Sequence, residues 1–188
     1  MSEAKGMVIK MRKTRVAFVP VACEQHSKGA DALGRNPTVD LDMVEKSCQF
    51  LLNEGYEVVY DRGLEIVDTY EKSWEALKKY KFQDVDCLLF YFAGWFWVTH
   101  YMQAVRWANL PIIGWSPNIA RAWNLNNVGV MNGAMKEWDL PYKGVWGLPG
   151  EDFVRGRIKS FSDASKVKSV LEHSKFGLFG GKIGRAHV

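Results

Sequence analysis

Five stretches of the chain carry side chains that could do chemistry. Cys23-Glu24-Gln25-His26 places a thiol, a carboxylate and an imidazole within four residues. Glu24 and His26 suit acid–base work or metal ligation, and Cys23 beside His26 suits a nucleophile. Two ligands do not make a metal site, and no third stands at a recognisable spacing, so a solvated polar loop is the plainer reading. Gly34-Arg35-Asn36-Pro37 sets a cation before a helix start. Arg35 could grip a carboxylate, a phosphate or a sugar hydroxyl, although most arginines in such loops are only solvated. The run from Val85 to His100 ends in Trp95, Phe96, Trp97 and His100. Flat aromatic faces beside polar groups suit sugar C–H faces, flat rings or a subunit contact, and composition favours neither ligand nor interface. Trp115-Ser116 closes the next apolar run and could share one crevice with Trp95. His173 and His187 read as surface residues.

The last of these stretches, Gly177-x-x-Gly180-Gly181-x-x-Gly184, resembles a phosphate loop only superficially. Its spacing is not that of the dinucleotide fingerprint. Lys182 is followed by Ile183, not by the serine or threonine of a P-loop. A glycine-rich strand exit is the favoured reading.

The elements that must position these residues follow from periodicity. Cys87 to Phe92 is a continuous apolar run closed by Gly94, the pattern of a strand buried on both faces. Residues after such a strand lie at its carboxyl end, where open α/β sheets hold ligands. Further strands are expected at Thr14–Val21, Tyr56–Tyr60, Pro111–Trp115, Lys143–Gly147 and Lys175–Gly181. Between them run helical patterns. One opens near Pro37-Thr38, with Thr38 as the cap, and ends at Gly55. One starts near Asp68 with Glu71 three residues on. Others span Thr99–Asn109 and Glu151–His173, the latter broken near Ser160–Ser162. One or two pieces lie between Asn118 and Trp138, interrupted at Asn126-Asn127 and Gly129. Cys23 to Asn36 is too polar and glycine-dotted to be regular. Alternation of this kind predicts an α/β fold with an open, doubly wound, mostly parallel sheet and right-handed crossovers. The expected organisation is an extension over 1–13, an α/β domain over 14–174, and the start of a second, truncated domain over 175–188.

Composition narrows the function classes. The 188 residues are 47% hydrophobic and 24% charged, an ordinary globular balance, but eight are tryptophan. The net charge of +4 is spread without a basic stripe, so no nucleic-acid partner is expected. No apolar run approaches the ~20 residues that cross a bilayer. The three cysteines form no CxxC pair and read as reduced thiols of a cytoplasmic protein.

Several stretches together resemble one family. Arg15 to Val21, then Gly94-Trp95-Phe96, then Leu110-Pro111-Ile112-Ile113-Gly114-Trp115-Ser116, then Phe176 to Lys182 are similar, in that order, to the N-terminal region of L-fucose/L-arabinose isomerases. The resemblance covers about Arg15 to Gly184. It implies a Rossmann- or flavodoxin-like fold and a part in aldose–ketose interconversion through an enediol. It implies Mn2+ in the full-length enzyme and none on this chain, because the family's two metal-binding carboxylates and histidine lie in later domains. No catalytic residue is therefore expected here. The implied partners are a monosaccharide and the other subunits of a homo-oligomer. An arginine after the first strand and a tryptophan at a later strand exit reach a neighbouring subunit's sugar pocket in the family. Arg35 and Trp95 are the matching positions, with Trp97, His26 and Trp115 as further candidates for substrate contact. Where the family continues Gly-Gly-Lys-Ser-x-Gly, this chain reads Gly181-Lys182-Ile183-Gly184. The expected function is an N-terminal recognition and assembly domain, inactive alone. The alternatives are a stand-alone sugar-binding module and a purely structural assembly domain.

Overall fold

The computed structural model describes residues 12–27, 39–118 and 124–175. Five strands, β1 (Arg15–Val21), β2 (Glu57–Val59), β3 (Cys87–Phe92), β4 (Ile112–Ser116) and β5 (Tyr142–Trp146), form one sheet in the order β2-β1-β3-β4-β5. Every pairing is parallel, with Val16 beside Cys87, Leu88 beside Ile112 and Ile112 beside Tyr142. The chain starts near the middle, winds to one edge and reverses between β1 and β3, which is the flavodoxin-like order. The fold is flavodoxin-like.

Among the described residues six helices connect or follow the strands: α1 (Glu24–Ser27), α2 (Leu41–Asn53), α3 (Tyr70–Lys81), α4 (Thr99–Ala108), α5 (Asn124–Glu137) and α6 (Asp152–Glu172). Because side chains alternate along a strand, each central strand feeds two cores. Val19, Leu88, Phe90 and Phe92 face α3, α4 and α5, where Leu77, Tyr101, Val105 and Met131 meet them. Phe18, Leu89, Tyr91 and Trp115 face α2 and α6, where Cys48, Leu51, Val154 and Ile158 meet them. The sheet is thus doubly wound, as the alternating pattern requires.

Local chemistry sets the ends. Asp40 caps α2 by accepting the Met43 N–H at 2.9 Å, so the cap falls two residues after Thr38, which lies outside the described residues. Thr69, not Asp68, caps α3, its Oγ1 accepting the Lys72 N–H at 3.2 Å. Cys23 to Asn36 is not wholly irregular: α1 makes one turn there before the described residues stop at Ser27. α5 runs unbroken through Asn127 and Gly129 because Asn127, Met131 and Met135, four apart, bury one stripe completely. α6 also runs unbroken. Its buried stripe passes from Ile158 to Ser162 and Ser165, whose hydroxyls return to the carbonyls of Lys159 and Phe161 at 3.1 and 2.9 Å. The strand expected at Lys175–Gly181 falls, beyond Lys175, outside the described residues. No helix among the described residues is long and apolar enough to cross a membrane.

At the amino end of the sheet Asp86 is buried. It accepts hydrogen bonds from both terminal guanidinium nitrogens of Arg12, at 2.6 and 2.8 Å, and from the Arg15 backbone N–H at 2.8 Å. This bidentate clasp fixes the entry to β1 against the entry to β3.

Candidate functional site

The strand order reverses between β1 and β3, the place where open α/β sheets hold ligands beyond their carboxyl ends. The two exits are stitched together. Ala93 N–H donates to Val21 O at 3.0 Å, continuing the ladder past β3. Cys23 N–H then donates to Trp95 O at 2.5 Å, and Trp95 N–H donates to His26 Nδ1 at 3.0 Å. His26 N–H closes the loop on Cys23 O at 3.0 Å. Since Nδ1 accepts, this geometry places the ring proton of neutral His26 on Nε2. Asn127 of α5 donates from Nδ2 to Gly94 O at 2.9 Å. The backbone of Gly94-Trp95 is therefore held from β1, α1 and α5 at once. Gly94 lets the two come close: a Cβ there would stand 3.2 Å from His26 Nδ1 and 3.3 Å from its Cβ, so the imidazole would have to give by a few tenths of an ångström.

The held backbone presents an aromatic pair. Trp95 is half-buried, Trp97 is 46% exposed, and their rings meet edge to face with centroids 5.9 Å apart. Phe96 does not join them, contrary to the expectation of three presented aromatics. It is fully buried and stacks on Phe92 at 4.8 Å. Successive side chains in this extended exit point to opposite sides, so the outer two face out and the middle one anchors them. His100 stands in the first turn of α4, partly buried. Its carbonyl accepts the Ser73 hydroxyl at 2.6 Å, and its Nδ1 is buried without a hydrogen-bond partner among the described residues.

Trp115 is also not where the sequence suggested. It is fully buried on the α2/α6 face, its ring 5.4 Å from Tyr91 and 5.8 Å from Phe50, with Nε1 donating to Gly147 O at 3.0 Å. It belongs to the core, and no Trp95/Trp115 crevice forms. His26 is buried too, and its Nδ1 accepts the Trp95 backbone N–H. Cys23 is buried, and burial pushes its thiol up, which disfavours the thiolate a nucleophile needs. Arg35 lies outside the described residues, as does the Gly177–Gly184 stretch.

Beside these joined exits is a second feature that sequence reading missed. A cleft of about 490 Å³ opens against α1, lined by Ser27, Leu41, Leu64, Ile66, Asp68 and Lys72 among others. Asp68 is buried. Burial alone would raise its carboxyl, but the Lys72 ammonium 2.8 Å away and the Ser27 hydroxyl hold it below the usual range. The neighbouring Tyr101 hydroxyl reaches Val67 O at 2.6 Å and Ala22 O at 3.1 Å, and burial drives its ionisation well above the ordinary value. The i, i+4 spacing of Asp68 and Lys72 was the available signal for the pair. Its burial was not readable, because Asp68 precedes the helix and Ser27 is remote in sequence.

Among the described residues no group of three or more His, Cys, Asp or Glu side chains comes together to hold a metal ion. These residues do not fit a divalent cation, and no step through one is assigned to them. What the arrangement offers is binding: a pinned indole pair at the sheet's reversal, and a buried carboxylate paired with a partly exposed lysine in a cleft of mixed polarity.

No protein-family model matches the chain. No curated protein matches its sequence. Solved structures similar to it include a flavodoxin of Streptococcus pneumonia TIGR4, 11% identical over 82% of this chain and 99% of that one, with a TM-score of 0.39. A de novo designed Rossmann 2x3 protein is 11% identical over 93% of this chain and 100% of that one, with a TM-score of 0.37. A short-chain flavodoxin associated with a PDU bacterial microcompartment is 12% identical over 85% and 99%, with a TM-score of 0.35. The fold assignment stands on the strand order itself.

Proposed function

We propose that this chain is the N-terminal recognition and assembly domain of a metal-dependent aldose–ketose isomerase of the L-fucose/L-arabinose type. The observation that carries the reading is Trp95. It stands at the exit of β3, at the position the family resemblance assigns to a pocket-closing tryptophan, with its N–H and C=O both fixed by residues after β1. A ring on so constrained a backbone loses little entropy when a sugar's C–H face packs on it. Trp97, its ring at right angles to that of Trp95, widens the apolar surface. The chain's part is to bind and orient a monosaccharide and to exclude solvent. Proton transfer between sugar carbons belongs to carboxylates outside it.

Two assays test this. The 188-residue chain with Mn2+ and a panel of aldoses is expected to form no ketose, and ketose formation by this chain alone overturns the reading. In the protein that joins this chain to its later domains, Trp95→Ala is expected to raise KM by about tenfold, the loss of roughly 1.4 kcal/mol. Trp95→Phe should recover part of that. Unchanged kinetics would remove Trp95 from the pocket. A second reading, a stand-alone sugar-binding module, draws on the cleft beside Asp68 and Lys72. It requires that sugars bind the 188-residue chain directly, which calorimetry with the same aldoses decides.

A further inference from the structure

We infer that the outer face of α3, with Trp107 of α4 beside it, is where a second copy of this chain docks about a two-fold axis, α3 antiparallel to α3. Glu71, Glu75, Lys78 and Phe82 stand four, three and four residues apart, so they form one stripe, and all four are exposed. Phe82 is 81% exposed, the most exposed large apolar side chain among the described residues. Its ring is 6.2 Å from Trp107, which is 5.9 Å from Trp74, which is 6.4 Å from Tyr70. A continuous row of four rings thus runs along the α3–α4 seam. A contiguous aromatic row of this kind marks an interaction surface, whereas single exposed apolar residues do not.

The charges say which partner. Both exposed acids of α3 lie in its first half and three of its four lysines, Lys78, Lys79 and Lys81, in its last turn, while the fourth, Lys72, turns to Asp68. The helix dipole favours that order but has no use for an exposed Phe82. Glu71 and Glu75 are like charges at i, i+4, and neither has a side-chain partner among the described residues. Lys78 Nζ rests over the Trp74 ring at 5.4 Å and Lys81 Nζ over Trp107 at 4.6 Å. A two-fold axis passing between Glu75 and Lys78 sets Glu75 of each copy against Lys78 of the other, and Glu71 against the Lys81–Phe82 end. The stripe is self-complementary only in this antiparallel sense, which is what an isologous contact demands. The inference rests on the assembly half of the function proposed above and is independent of the isomerase half.

Sedimentation equilibrium of the 188-residue chain over a range of concentration tests it. A reversible dimer is expected. Phe82→Ser and Lys78→Glu, both at exposed positions that leave the core intact, should each weaken it by about tenfold or more, roughly 1.4 kcal/mol. Adding Glu75→Lys to Lys78→Glu restores opposite charges across the axis and should recover most of the affinity. A chain that is monomeric at every concentration overturns the inference, as does a dimer indifferent to Phe82→Ser and Lys78→Glu. Ketose formation by the chain alone would sink the isomerase reading without touching this one.

Discussion

His26 Nδ1 accepts the backbone N–H of Trp95 at 3.0 Å, across 69 residues of sequence. The next residue, Ser27, hydrogen-bonds Asp68. One short helix thus ties the exit of β1 both to the aromatic exit of β3 and to the loop that follows β2. The Trp95 exit and the cleft share α1, so disturbing that helix should be felt in both.

The tie between His26 and Gly94 can be measured as a coupling. Gly94→Ala drives a methyl toward the imidazole at 3.2 Å. It should cost about 1–3 kcal/mol in urea unfolding, the range for overpacking. His26→Ala alone should cost about 1–2 kcal/mol, mostly for the orphaned Trp95 N–H. Combined, the two should cost less than their sum, because the cavity left by the ring receives the methyl. Strict additivity would show that the glycine is needed for another reason.

Asp68 gives the fold an acid-sensitive term. Its carboxyl is held below the ordinary range in the folded state, so the stabilisation is complete above the unfolded value of about 3.9 and is lost as pH falls through the folded value. Lys72→Met removes the ammonium that depresses it. The variant should be less stable than the parent at neutral pH, and the gap should close at acid pH, where Asp68 is neutral in both proteins. Urea midpoints at several pH values read this directly. A gap independent of pH would assign the loss to packing of the lysine stem instead.

How much of this was legible beforehand depends on whether a signal was local. β3 falls on Cys87–Phe92 as expected, because a six-residue apolar run between Asp86 and Gly94 has no other economical solution. α5 was obscured because its buried stripe is headed by Asn127 and its exposed side carries Gly129 and Gly133, each costing about 1 kcal/mol of helix propensity. Packing of Met131 and Met135 overrides that cost. Trp115 was misplaced for a different reason. In a strand buried on both faces, alternation does not reveal which residue turns toward a crevice, and Ile113 and Trp115 both turn to the α2/α6 core. Likewise nothing in Trp95-Phe96-Trp97 says that the middle ring packs inward. The His26–Trp95 and Ser27–Asp68 bonds join residues 69 and 41 positions apart, beyond the reach of spacing rules.

The cysteines should be silent until the protein unfolds. Cys23, Cys48 and Cys87 are all buried, and burial raises each thiol, Cys87 most of all. An aromatic disulfide reagent at neutral pH should label none of them on the timescale of mixing, and all three in denaturant. Rapid labelling of Cys23 in the native protein would mean that the β1 exit opens and that the loop closed by His26 and Trp95 is labile.

Asn127 separates a structural clamp from a mere space-filler. It is fully buried, its Nδ2 donates to Gly94 O at 2.9 Å, and its Oδ1 has no partner among the described residues. Asn127→Asp is nearly isosteric but replaces the donor with a second acceptor. When ionised, the new carboxylate would face the Gly94 carbonyl without solvent. When protonated, its O–H can donate as the amide did. Burial therefore raises the folded-state value of the new carboxyl, and its proton stabilises the clamp. The variant should lie within about 1 kcal/mol of the parent well below pH 4. Its deficit should grow as pH rises above the unfolded value of about 3.9 and level off above the folded one. Asn127→Leu, which cannot titrate, should show a deficit that does not vary with pH relative to the parent. If Asn127→Asp instead tracks the parent at all pH values, the amide does not clamp Gly94, and the β3 exit is held by His26 and Cys23 alone.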